Sequence, residues 1–122
     1  MTAHLSYVQI ALLTAYAVGM AGGQLLFKMA ALRAPADGPL IERLSAMMLN
    51  GFFVAAMLLY AALALLWVWI LNFTPLSRAY VFVALAFALT PLLGVMVFAE
   101  PFSVRLVIGI ALILCGLLFV AG

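Results

Sequence analysis

"LSAMMLNGFFVAAMLLYAALALLWVWILNFTPLS", residues 44–77, runs for 34 positions without a charged side chain. A helix that crosses the hydrocarbon core of a bilayer needs about 20 apolar residues. The stretch is longer than one span, and Asn72, Thr74 and Pro75 end its apolar section, so it reads as a helix followed by a tight turn. Outward from it, residues 5–27, 79–99 and 106–122 are also free of charge, and each supports one more helix. The eight charges that separate these runs are Lys28, Arg33, Asp37, Glu42, Arg43, Arg78, Glu100 and Arg105. Soluble domains devote about a quarter of their residues to such groups. A chain of 122 residues with 7% charged and 71% hydrophobic side chains cannot clothe a water-facing surface. It is a membrane protein.

The pattern predicts an all-α, four-transmembrane-helix bundle forming a single domain over residues 1–122, with helices over about 6–28, 44–71, 79–99 and 104–121. The first run is expected to be retained, because it is longer than a usual signal core, lacks a basic leader, and ends in "FKMAALR" without a small-residue cleavage site. The link "ALRAPADGPLIERL" holds four of the charges and must reach water or headgroups. Asp37 or Gly38 could cap a helix whose first position is Pro39. Trp67 and Trp69 suit an interfacial aromatic belt. The Thr90-Pro91 pair predicts a kink, Gly94 adds room beside it, and Ser103 is available as an N-cap. Short turns make sequential helices antiparallel. Loops 1 and 3 then share a side with Lys28, Arg33, Arg43 and Arg105, against Arg78 alone on the other. The positive-inside rule puts loops 1 and 3 in the cytoplasm, although so few charges leave dual insertion open.

Enzyme chemistry has almost nothing to work with. There is no nucleotide-binding loop, no metal-ligand spacing and no nucleophile–base arrangement. His4, the only histidine, lies before the first helix. The single Cys115 excludes an internal disulfide and reads as a buried, inert thiol. No catalytic residue, metal, cofactor or nucleic-acid partner is expected.

In an apolar protein the polar groups turned to the bundle interior are the functional candidates. Lys28, at the expected end of helix 1, serves equally as a snorkelling anchor or as a ligand. Gln24 stands one turn before it on the same face, where an amide either bonds a neighbouring helix or meets a substrate. Gly19, Gly22 and Gly23 strip bulk from helix 1 and allow close approach by a helix or by a ligand. Arg78 offers a planar fork suited to phosphate, or an anchor. Glu100 is a helix end or a partner for Lys28, with which it shares a membrane side. Gly109 and Gly116, seven residues apart, set one smooth face on helix 4 and read as an oligomer seam.

Taken together, these residues resemble the small multidrug resistance family and its relatives in the drug/metabolite transporter superfamily. The likeness rests on four helices, the lysine of helix 1, "TPLSRAY" at the start of helix 3, and the glycine spacing of helix 4. It implies the small multidrug resistance/EamA-like fold. In the exporters of that family helix 1 carries a glutamate that takes protons and cationic drugs in turn; counting back from Lys28, that position is Met20. The chain looks more like the small subunits of the aminoarabinose–undecaprenyl phosphate flippase. It shares their "AGQ…K" pattern at Gly23, Gln24 and Lys28, their proline, alanine and tyrosine at Pro75, Ala79 and Tyr80, and their "EP.S" turn at Glu100, Pro101 and Ser103. Arg78 departs from the apolar residue of that branch.

The resemblance implies a flippase for a lipid-linked sugar phosphate in the bacterial inner membrane. Lys28 and Arg78 would hold phosphate, and Gln24, Tyr80 and Glu100 would shape the headgroup site. It also implies a homodimer, or a heterodimer with a second small four-helix subunit. An exporter of small cations or metabolites and a non-transporting accessory subunit of a membrane enzyme are the competing readings.

Overall fold

The computed structural model describes residues 6–121, so His4 lies outside the described residues. The described residues form five helices and no strand: α1 Tyr7–Arg33, α2 Leu40–Met48, α3 Gly51–Leu71, α4 Leu76–Phe98 and α5 Val104–Ala121. By length and composition α1, α3 and α4 can each cross a membrane, and α5 is a shorter apolar helix over Val104–Val120. The molecule is an all-α membrane protein.

Helix 1 begins as a capping box. The Ser6 hydroxyl accepts from the Gln9 amide at 3.1 Å, and the Ser6 amide donates to Gln9 Oε1 at 2.8 Å. It does not end at residue 28. Met29, Ala30, Ala31 and Leu32 are good helix formers, and the first obstacle is Pro35, which holds Ala34 extended at φ −77°, ψ 144°. Lys28 therefore lies more than a turn inside the helix.

The expected helix over 44–71 is two helices. Asn50 breaks it: its Oδ1 accepts from the Phe52 and Phe53 amides at 2.9 and 3.4 Å, while its Nδ2 donates to the Ala30 carbonyl at 3.0 Å. One side chain thus caps α3 and ties it to the end of α1. The residues ahead of the break make α2, which starts after Pro39 rather than with it. Helix α4 begins at Leu76, earlier than expected, and continues through Pro91. Ser103 does cap α5, accepting from the Leu106 amide at 3.1 Å.

Helix α1 is the centre of the bundle. It packs mainly against α3, which runs antiparallel to it, and α4, which runs parallel; α5 packs against α4. One end is closed. Leu13, Ile70 and Ala79 are fully buried there, flanked by Tyr16 stacked on Trp67 at 4.8 Å. Gln9 Nε2 clamps the α3–α4 turn, donating to the Phe73 carbonyl at 2.8 Å and the Thr74 hydroxyl at 3.0 Å. Trp69 is exposed as an interfacial ring would be, whereas Trp67 is turned inward between Tyr16 and Tyr80. Cys115, expected to be buried, is exposed on α5. With α5 packed mainly on α4, most of its described side chains are exposed and left for lipid or another chain.

Candidate functional site

A crevice of about 310 Å³ lies between α1 and α4, lined by Met20 and Gln24 on one wall and Ala86, Phe87, Thr90 and Pro91 on the other. Its only polar side chains are an amide and a hydroxyl. The Thr90-Pro91 pair lies on this wall, where the proline ring leaves a backbone carbonyl of the preceding turn without its helical donor.

One turn beyond the crevice stand Lys28 and Glu100. Lys28 follows Gln24 at i+4 on α1, and Gly94 follows Thr90 at i+4 on α4. Helix α4 ends where Ala99 turns left-handed at φ 52°, so the chain folds back and the Glu100 amide donates to the Gly94 carbonyl at 3.4 Å. The carboxylate of Glu100 then rests over Gly94, where an added Cβ would lie 2.6 Å from Oε1. Gly94 makes room for this acid. In that position Glu100 Oε2 lies 3.5 Å from Lys28 Nζ, with the two side chains 42% and 44% exposed. The contact is long and open on one side, so each partner can still meet a third group.

Gln24 also holds the other side of α1. Its Nε2 donates to the Tyr60 hydroxyl at 2.9 Å, and that hydroxyl donates to the Met20 carbonyl at 3.0 Å. The Tyr60 ring stacks on Phe27 at 5.3 Å and lies directly on Gly23, where a Cβ would come within 2.5 Å of Cε2. Leu63, one turn away, lies on Gly19 at 2.9 Å. Gly19 and Gly23 are thus filled by α3, whereas Gly22 has nothing within 4 Å. The sequence reading missed Tyr60. Its signal was there: it is the only hydroxyl in α3, and a hydroxyl in mid-span must find a partner.

The candidate residues fall into two groups. Gln24, Lys28, Glu100 and Gly94 converge at the open end, beside Pro91. Arg78 and Tyr80 lie at the other end of α4, where Tyr80 meets the edge of Trp67 at 6.1 Å. Arg78 and Glu100 are 22 residues apart, about 33 Å along a helix. Gly109 and Gly116 face open space on α5, with nothing within 4 Å of either. Among the described residues no group of three potential metal ligands comes together.

A probable 4-amino-4-deoxy-L-arabinose-phosphoundecaprenol flippase subunit, ArnF of Pseudomonas fluorescens (strain Pf-5), is 32% identical over 114 residues, covering 85% of this chain and 83% of that protein. No solved structure matches at the same level. The EamA-like transporter family model matches residues 2–122, nearly the full length. The chain, a multi-pass membrane protein with a crevice between its parallel spans, belongs to the EamA-like transporter family.

Proposed function

We propose that this protein is a flippase subunit that moves a polyprenyl-phosphate-linked sugar, of the undecaprenyl phosphate–aminoarabinose kind, across the bacterial inner membrane. The observation that carries the reading is the half-exposed Lys28–Glu100 pair, one helical turn beyond a crevice walled by an amide, a hydroxyl and apolar groups. A crevice for organic cations calls for a carboxylate along its wall. Here Met20 stands in that wall.

The chemistry follows from exchange of partners. A lipid phosphate competes with Glu100 for the Lys28 ammonium, because a solvent-open ion pair contributes only about 0–1 kcal/mol. The displaced carboxylate is then the acceptor for an amine or hydroxyls on the sugar, and Gln24 offers amide contacts deeper in the crevice. The polyprenyl tail stays in the bilayer throughout. Arg78, at the far end of α4, is the corresponding phosphate ligand after crossing, with Tyr80 beside it. A path built from so few spans is completed by a second subunit, either another copy or a small relative. The flippase-subunit name of the similar protein supports this reading.

The test is transbilayer movement of lipid-linked aminoarabinose in proteoliposomes, with the chain alone and with a co-expressed second small subunit. Lys28→Ala is expected to slow movement at least tenfold, about 1.4 kcal/mol of barrier, while Lys28→Arg retains most of it. Normal movement by Lys28→Ala removes the phosphate role. Transport of a cationic dye in place of the lipid would favour the exporter reading.

A further inference from the structure

Helix α2 plays no part in the crevice, and its surface is unusual for a loop between spans. Its nine residues put Leu40, Ile41, Leu44 and Met48 on one side at the i, i+1, i+4, i+8 spacing of a single face. These side chains are 68%, 71%, 53% and 66% exposed. Glu42, Arg43 and Ser45 lie outside that arc, the half-buried Met47 borders it, and Ala46 is turned toward the bundle, where it lines a groove with Leu26, Arg33, Asn50 and Phe52.

We infer that α2 lies flat in the headgroup–acyl boundary of the bilayer, with Leu40, Ile41, Leu44 and Met48 dipping into the acyl region and Glu42 and Ser45 facing water. Three observations fix the occupant of this face as lipid. First, α2 links the end of α1 to the start of α3, two helices long and apolar enough to cross a membrane, and Asn50 holds those two ends together. Its depth is therefore that of the membrane interface. Second, nine residues span about 13 Å, against the roughly 30 Å of the hydrocarbon core, so the helix lies on the membrane and cannot cross it. Third, a face about 13 Å long and about 10 Å wide is far smaller than the about 800 Å² per partner that a stable protein interface buries. Arg33, its guanidinium 4.8 Å from the Phe52 ring centre, marks the same level beside the helix. Amphipathic helices lie in the membrane interface with such an apolar face buried in the headgroup–acyl boundary.

Site-directed spin labelling tests the inference on the intact chain in liposomes. The exposed Cys115 is first replaced (Cys115→Ser), and single labels are placed by Leu40→Cys, Leu44→Cys, Glu42→Cys and Ser45→Cys, all at exposed positions. Accessibility to oxygen, which partitions into lipid, relative to a water-soluble nickel chelate is expected to be severalfold higher at 40 and 44 than at 42 and 45. Equal, high chelate access at all four positions would put α2 in water and overturn the inference. Low access to both probes at 40 and 44 would do the same, by revealing a protein partner on that face.

Discussion

Helices α1 and α5 carry the same sequence feature, glycines spaced to share a face, and the structure uses it in opposite ways. On α1, Gly19 and Gly23 are filled by Leu63 and Tyr60 of α3, so closely that a methyl group would collide. On α5, Gly109 and Gly116 have nothing within 4 Å. In lipid there is no hydrophobic force to press helices together, and smooth surfaces are useful because they let backbones approach and van der Waals contacts form. The α1 face has found its partner inside the chain. The α5 face has not, and in the proposed dimer it is where a second subunit docks.

The largest effect is expected where the fit is tightest. Gly23→Ala drives a methyl group into the Tyr60 ring, which is already stacked on Phe27 and bonded to Gln24 and the Met20 carbonyl. Such a ring cannot move without giving up those contacts. Overpacking of this kind destabilises by about 1–3 kcal/mol. Thermal unfolding in detergent should show it, and Gly23→Ala combined with Tyr60→Phe should not restore stability, because the ring carbons remain. Gly19→Ala should be milder, since the obstacle there is the flexible end of Leu63.

On α5 the outcome should be reversed. Gly116→Leu adds bulk on an exposed face and Gly109→Ala adds a methyl group with nothing within 4 Å, so the fold of the single chain is expected to stay intact. The loss should appear in association. Cross-linking in lipid is expected to recover about tenfold less dimer, equivalent to about 1.4 kcal/mol. A drop in monomer stability with unchanged cross-linking would mean that the α5 face is not a seam, and the contrast with α1 would fail.

How much of this was legible in the sequence depends on what each feature requires. The spans were legible because a charge-free run of that length has no place outside a membrane. The Lys28–Glu100 contact was legible because counting spans puts both residues on one side. The break at Asn50 was not, since Asn-Gly inside an apolar run looks like a tolerated polar interruption until the Ala30 carbonyl is seen beside it. That break separated α2 from α3 and moved the start of the first long helix after the loop. The filling of Gly23 was hidden for a related reason. Glycine spacing marks a face, but which ring covers it depends on the register between α1 and α3, and Asn50 sets that register. The contact of Glu100 with Gly94 was hidden for want of three dimensions, because the left-handed turn at Ala99 brings Glu100 back over it.

The smallest expected effect sharpens the comparison most. Gly22 sits between the two filled glycines of α1, yet nothing lies within 4 Å of a Cβ placed there. At 100° per residue it falls on the side of α1 away from Met20 and Gln24, and so away from the crevice. Gly22→Ala is therefore expected to stabilise the chain by about 0.5 kcal/mol, the ordinary gain from alanine in a helix, and to leave lipid movement unchanged. If instead it weakens the fold as Gly23→Ala does, the α1–α3 contact extends further around α1 than the register set by Asn50 allows. If it leaves the fold intact but reduces dimer recovery, α1 shares the seam with α5. Packing inside the chain and packing between chains would then meet on adjacent faces of the same helix.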